Sequence, residues 1–283
     1  MPLSLTANAK INLGLRIVGR REDGLHLLHT LFQELDFGDE VTLTDQPDPK
    51  VTLEVTGPAA GGVPTDDNNL CVQVARLFQE KTGAAKGVHI QLVKRIPPGA
   101  GLGGGSSDAA AVLKGLNELW HTGMTVPEME ELAVELGADV PFFIRGGLQL
   151  GEGIGELLTP LERMLPYTVV LVIPPFGVDT AWAYGQFASR RSFPPPPALD
   201  ELIAREPIPW DAFTNDFEEM VFPRHGQLAE IMEGLLATGA AYASLSGSGS
   251  AVYGLFEEPP PEAELRRRFA ESQLVICQAV SGN

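Results

Sequence analysis

In residues 88–93 apolar and polar side chains alternate at the period of a half-buried strand. From Ala109 through Leu113, Leu116 and Leu119 the apolar positions recur at helical spacing instead. Between the two lies Pro97-Pro98-Gly99-Ala100-Gly101-Leu102-Gly103-Gly104-Gly105-Ser106-Ser107, in which five of the seven residues 99–105 are glycine, so a loop opening a helix is predicted. Glycine tolerates positive φ and lets a ligand come close to the backbone, and the unpaired N–H groups of a helix's first turn attract anions. The pattern places a phosphate at this helix start.

The remaining pattern predicts an α+β chain. Residues 3–15 read as a strand with Lys10 and Asn12 pointing to the same side. Residues 39–44 and 51–55 alternate around Asp48-Pro49, which predicts a hairpin. Asn68 is the expected cap of a helix over 71–81, and Thr125-Val126-Pro127-Glu128 the expected start of one ending near Gly137, with proline at the first helical position. Further on come a strand over 167–173, a helix opening in 178–184, a stiff proline connector at 194–197 and helices at Asn215-Asp216-Phe217-Glu218 and over 227–236. Two strands then flank a serine-glycine turn, and a helix over 262–271 precedes a last strand over 274–277. Glycine punctuation at Gly151-Glu152-Gly153 predicts a division into residues 1–152 and 153–283.

Composition narrows the partners. At 283 residues and 44% hydrophobic the chain is long enough for two packed domains, and 20% charged residues argue against disorder. A net charge of −17 excludes a nucleic-acid or anionic-membrane surface, so a polyanionic ligand has to meet a local basic patch. Lys10, Arg16, Arg20 and Arg21, with no acid before Glu22, supply one. Two distant cysteines, Cys71 and Cys277, imply no disulfide framework and fit a reducing cytoplasm. The run over 169–173 is too short to span a bilayer, and no signal-peptide pattern opens the chain.

Three other glycine segments are excluded at residues 97–107. Gly99, Gly101 and Gly104 match G-x-G-x-x-G, but Lys94-Arg95-Ile96-Pro97-Pro98 separates them from the strand and no acidic residue ends a following strand. No Lys-Ser/Thr pair follows Gly104, so the P-loop pattern fails. Flexible linkers do not run into a well-formed helix start. The segment resembles the P-x-x-x-G-L-G-S-S-A-A phosphate loop of the GHMP kinases, small-molecule kinases that hold ATP over a helix N-terminus. The likeness continues in Ala9-Lys10-Ile11-Asn12-Leu13 (family P-A-K-x-N-L, with Asn8 and Ala9 here), Asp23-Gly24-Leu25-His26 (family D-G-Y-H) and Gly137-Ala138-Asp139-Val140-Pro141-Phe142-Phe143. It extends through Val178-Asp179-Thr180 to Tyr184, Asn215-Asp216-Phe217-Glu218 and Leu245-Ser246-Gly247-Ser248-Gly249-Ser250, and so covers nearly the whole chain.

The resemblance implies a two-domain α+β GHMP kinase fold. Residues 1–152 would be an ATP-binding domain like ribosomal protein S5 domain 2, and residues 153–283 a ferredoxin-like substrate-binding domain. It implies transfer of phosphate from ATP, with Mg²⁺, to the 2-hydroxyl of a cytidine diphosphate-linked methylerythritol in the non-mevalonate isoprenoid route. Asp139 would take the hydroxyl proton and Lys10 would draw on the same oxygen. ATP would meet Pro97, Pro98, Gly99, Ala100, Gly101, Leu102, Gly103, Gly104, Gly105, Ser106, Ser107, Asn69 and Lys94, with Ser106 or Ser107 near the metal. Asn12, Leu25, His26, Thr180 and Tyr184 would hold the substrate, its cytosine between residue 25 and Tyr184. Leu25 stands where the family has tyrosine, and either offers an apolar contact to the base or faces the core. The resemblance also implies a monomer or weak homodimer. Homoserine and mevalonate kinases share the loop but not the D-G-x-H segment; a non-catalytic nucleotide sensor is disfavoured by the presence of both Lys10 and Asp139.

Overall fold

Two long paired strands, β1 (Leu3–Arg20) and β2 (His26–Gln46), begin the chain in the computed structural model, which describes every residue except Ser189, Arg191 and Asn283. Both strands run through both of the compact units into which the chain divides. The first unit is Met1–Ala9, Gly38–Pro98 and Gly103–Arg145; the second is Lys10–Phe37, Gly99–Leu102 and Gly146–Asn283.

In the first unit β3 (Val51–Thr56), α1 (Leu70–Thr82) and β4 (Gly87–Val93) form a crossover. β3 runs parallel to β4, with Val51 opposite Val88, while β4 is antiparallel to the end of β2, with Glu40 opposite Val93. The hairpin expected from residues 39–55 is therefore absent: β4 lies between its two arms. A helix between two strands returns the chain in its original direction, and the resulting parallel pair displaces the local antiparallel one. α1 is capped by Asn69, whose Oδ1 accepts the Cys71 N–H at 2.8 Å, not by Asn68, whose side chain turns to Asp66. α2 (Gly104–Trp120) buries Ala109, Val112, Leu113 and Leu116. α3 (Val126–Val134) starts at Thr125, whose N–H and hydroxyl both reach Glu128 at 2.7 Å. It stops short of Gly137, with Pro127 one place later than expected, and a turn then leads into α4 (Phe142–Arg145).

In the second unit β5 (Leu148–Glu152) pairs antiparallel with β2, Gly151 opposite Thr30, and β6 (Leu157–Pro160) pairs antiparallel with β5. β7 (Thr168–Ile173), β8 (Tyr242–Leu245), β9 (Val252–Phe256) and β10 (Gln273–Gln278) make a separate antiparallel sheet in the order β10-β7-β9-β8. Among the described residues five helices join them: α5 (Thr180–Gly185), α6 (Leu199–Ile203), α7 (Asp216–Val221), α8 (Gly226–Ala237) and α9 (Glu262–Arg268). The core of this unit packs Val170, Val172, Phe217, Leu228 and Leu245 with Leu15, Ile17 and Leu28 from the opening strands. Among the described residues no helix is long and apolar enough to cross a membrane.

Candidate functional site

The residues singled out in the sequence fall into both units. In the second unit, the loop residues 99–102 are stitched from three sides. Gly99 O accepts from Val178 N–H and Ser250 N–H at 3.3 and 3.2 Å, and Ala100 O accepts from Ala251 N–H at 2.9 Å. Gly101 O accepts from the Ser246 hydroxyl at 2.9 Å and from Lys10 Nζ at 3.1 Å. At φ +75° Gly101 sits where glycine is needed, and a Cβ there would collide with Ser246 O. The serine-glycine turn after β8 thus braces the loop, and from composition alone a flexible hairpin turn would have looked the same.

Lys10 is 4% exposed on β1. Besides Gly101 O its ammonium holds Asn12 Oδ1 at 2.6 Å and lies 5.4 Å from the centre of the Phe32 ring. Asn12 in turn donates to the Thr30 hydroxyl at 3.0 Å, which donates to Gly14 O at 2.6 Å, and the Tyr253 hydroxyl donates to Asn12 O at 2.7 Å. Lys10 and Asn12 do share a face, as the alternation predicted, but that face is buried rather than solvated. Thr30, Phe32 and Tyr253 were missed in the sequence because nothing local marks a partner 18 to 241 positions away.

In the first unit, Gly103 stands at φ +71° as the residue preceding α2 and gives the helix no side-chain cap. The first-turn amides of Gly104, Gly105 and Ser106 have no intrahelical acceptor, and the space around a Cβ on Gly105 is open. Uncapped amides and absent side chains suit a phosphate. Ser106 is half-buried at this end and Ser107 is buried. Behind the loop Lys94, 3% exposed, places its ammonium on Asp39 and, at 2.7 Å, on Asp108 Oδ2. Burial pushes the Asp108 carboxyl up to about 8, against the pull of Lys94, and leaves its Oδ1 without a hydrogen-bond partner. Burial opposes charge on Lys94 as well, but Asp108 and Asp39 outweigh it and hold the ammonium above its ordinary value. Lys94, expected at ATP, is engaged by these two carboxylates. Asn69, also expected there, uses its Oδ1 as the cap of α1 and its amide on Pro64 O at 2.7 Å. Asp139 lies half-buried in the turn before Pro141 and α4, with Val140 N–H bonded back to Gly137 O at 3.2 Å.

The remaining candidates belong to the second unit. His26 starts β2 and stacks on Tyr184 of α5, ring centres 5.5 Å apart at 24°, while Phe187 meets it edge-on at 6.2 Å. Burial, then the nearby Arg20 guanidinium, lower the His26 pKa, partly offset by a hydrogen bond with the Phe187 backbone, so the imidazole is held neutral. Its Nε2 is buried without a hydrogen-bond partner. Tyr184 also packs edge-on against Phe217 at 4.9 Å. Thr180, first residue of α5, brings its hydroxyl to 3.1 Å from that of Ser248. Leu25 is 47% exposed in the turn before β2, which removes the alternative that it faces the core. Among the described residues no group of three or more His, Cys, Asp or Glu side chains is placed to hold a metal ion.

The chain matches the family described as GHMP kinases N terminal domain over residues 69–147 and GHMP kinases C terminal over residues 197–274. A protein of Chlorobium phaeovibrioides named 4-diphosphocytidyl-2-C-methyl-D-erythritol kinase is 45% identical over 263 residues, 90% of this chain and 88% of that one. A protein of the same name from Chlorobaculum parvum is 46% identical over 260 residues, 90% of this chain and 89% of its own length. Among solved structures, a 4-(cytidine 5'-diphospho)-2C-methyl-D-erythritol kinase superposes with a TM-score of 0.81 at 34% identity, covering 99% of this chain and 100% of that one. A mevalonate kinase superposes with a TM-score of 0.73 at 14% identity over 99% of both chains, a likeness of fold.

Proposed function

The chain belongs to the GHMP kinase family, and we propose that it transfers the γ-phosphoryl group of ATP to the 2-hydroxyl of 4-diphosphocytidyl-2-C-methyl-D-erythritol. One observation carries the phosphate half of this reading: α2 begins with two glycines behind the N-cap Gly103 and has no side-chain cap, so its first-turn amides are free for an anion. The relatives' shared name carries the acceptor.

Phosphoryl transfer passes through a loose, charge-rich transition state, so positioning and charge neutralisation dominate. In this reading the amides at the start of α2 hold the triphosphate, which arrives as its Mg²⁺ complex. The half-buried Ser106 hydroxyl is better placed than the buried Ser107 to meet the ion. Mg²⁺ is usually bound through one or two carboxylates together with the substrate's phosphates, so a cation carried in by its nucleotide needs few protein ligands. Asp139 accepts the hydroxyl proton. Lys10, held by Asn12 and Gly101 O, steadies charge on the same oxygen. The pyrimidine rests against Tyr184 and His26 with Leu25 as an apolar wall, and Asn12 and Thr180 offer polar groups to the acceptor. The neutral imidazole costs the site no buried charge. The family's two domains divide after Glu152, which leaves the matched spans 69–147 and 197–274 on opposite sides of the cut. Both cysteines are free and buried, in keeping with a reducing cytoplasm, and the acidic chain works there as a monomer or weak homodimer apart from nucleic acid and membrane.

A coupled ADP-release assay across the cytidylyl substrate, homoserine and mevalonate tests the reading, with turnover expected on the first. Turnover on homoserine or mevalonate alone rejects the proposed acceptor. Asp139→Asn is expected to keep ATP affinity and to lower kcat by at least about 10², the lower end for removing a positioned acid–base group. A variant turning over at the wild-type rate removes Asp139 from the role of base.

A further inference from the structure

Lys94 matches neither of the two ordinary uses of a lysine in a kinase: it is not a solvated surface charge, and its ammonium is held by two buried acids, Asp39 and Asp108. Its position in the first unit ties together two pieces of chain that the sequence separates by the glycine loop. Asp39, near the end of β2, accepts from Lys94 Nζ and also from the N–H groups of Arg95 and Ile96, at 2.5 and 2.9 Å. Those two amides immediately precede Pro97-Pro98, where the loop begins. Asp108, the other partner, follows Ser107 in α2, where the loop has ended. A Cβ on Gly104 would lie 3.2 Å from Lys94 Nζ and 2.9 Å from Ile96 Cγ2, so the cluster packs directly against the first residue of the helix.

We propose that Lys94 is a positioning residue for the phosphate donor: through Asp39 and Asp108 it fastens the leading and trailing ends of the glycine loop to one buried point and thereby fixes the amides that hold ATP. The inference rests on the reading of the loop as the ATP site. Three considerations favour it over a structural ion pair or a direct phosphate contact. A buried salt bridge contributes little net stability, since the desolvation of the charges cancels most of their attraction, so stability alone is a poor reason to keep three ionisable side chains here. A glycine-rich loop carries unusual backbone freedom, and tying its ends removes freedom that ATP binding would otherwise have to remove. For Lys94 to contact a phosphate it would have to leave two charge-assisted hydrogen bonds in a buried site.

Two variants test the proposal, each assayed by calorimetry with Mg-ATP and, separately, with the cytidylyl substrate, alongside thermal melting. Asp39→Asn keeps the lysine and an acceptor for the Arg95 and Ile96 amides but cuts the charge tie. The triple variant Asp39→Asn, Lys94→Met, Asp108→Asn leaves no uncompensated charge in the core and so guards against a single change that fails to fold. Both are expected to bind ATP on the order of tenfold more weakly, since the cost of ordering the untied loop then falls on binding, with cytidylyl affinity unchanged and the triple variant melting near the wild type. A direct phosphate contact predicts the reverse for Asp39→Asn, because the released ammonium would then bind ATP as well or better. That result, or unchanged ATP affinity in the triple variant, overturns the proposal. Equal losses of ATP and cytidylyl affinity overturn it too, since they mark general disorder. ATP affinity is read without an acceptor present, so a wild-type protein that binds ATP yet leaves the cytidylyl substrate unreacted rejects the proposed acceptor and not the role of Lys94.

Discussion

At Leu25 the chain departs from the D-G-Y-H pattern of its family, and the side chain stands 47% exposed with room for a larger ring. Base–aromatic stacking contributes roughly 1–3 kcal/mol per base in single-strand binders, so Leu25→Tyr is expected to lower KM for the cytidylyl substrate several-fold. KM for ATP and kcat should stay put, the signature of binding that ground state and transition state share. Overpacking is not a concern at an exposed site, so the melting temperature should not fall. Unchanged substrate KM in Leu25→Tyr would reject the stacking role. His26 gives a second test at this scale, through pH. Its folded pKa lies below the model-peptide value of 6.5, chiefly through burial and then Arg20. The unfolded chain therefore takes up the proton first as pH falls through 6.5, and stability falls with it until the folded imidazole also titrates; above 6.5 the effect vanishes. His26→Gln should flatten that part of the stability–pH curve relative to the wild type, and an identical slope in both proteins would show that His26 is not its source. Both residues were legible in the sequence because they sit in a short motif. Lys94 was legible only as a position near the loop, since its partners Asp39 and Asp108 lie 55 and 14 residues away and no local pattern announces a buried charge cluster.

The element on which the proposed phosphate binding turns is the start of α2, where glycine is required by geometry at Gly103, φ +71°. A branched side chain is strained there, at roughly 1–2 kcal/mol for a left-handed L-residue, which is small against a domain stability of about 5–15 kcal/mol. Gly103→Val is therefore expected to fold and to lose nucleotide binding, because the relaxed backbone turns the first-turn amides away and the isopropyl group occupies the approach to them. Intact ATP affinity by calorimetry, on a sample with a cooperative melt, would contradict the assignment of the loop. Elements of this kind were the readable part of the sequence: glycine loop, α2, and the β8–β9 hairpin with its serine-glycine turn all lie where periodicity and punctuation put them. Pairing was less readable. Residues 51–56 show the alternation of a strand, but alternation states which face is buried and not which strand is the neighbour, and the helix α1 decided that β3 joins β4 instead of β2. The Asn68 and Asn69 pair shows the same limit at one residue's resolution: both are good caps, and only the buried amide of Cys71 selects Asn69.

For the whole molecule, the proposed cut after Glu152 does not coincide with the boundaries of the two compact units. The core of the second unit draws Leu15, Ile17 and Leu28 from the opening strands and packs them with Val170, Val172, Phe217, Leu228 and Leu245. Hydrogen bonds tie the same pieces: Leu15 N–H to Thr214 O at 2.9 Å, Ile17 N–H to the side-chain Oδ2 of Asp216 at 2.9 Å and Leu28 N–H to Gly153 O at 2.7 Å. A fragment of residues 153–283 loses all three apolar side chains at once. Large-to-small truncation of one buried aliphatic side chain costs roughly 2–5 kcal/mol, and a domain's net stability is about 5–15 kcal/mol, so the sum of three such losses meets or exceeds what holds the unit together. Expressed alone, residues 153–283 should show no cooperative melt and should bind a hydrophobic dye as a loosely packed chain with its sheet partly formed. Adding a separately expressed 1–152 fragment should restore the cooperative transition, because the missing strands are supplied in trans and only the chain connection at 152 is lacking. A cooperative melt from 153–283 by itself would show that the opening strands are dispensable to that core, and would place the folding boundary at the glycine punctuation where the sequence first put it.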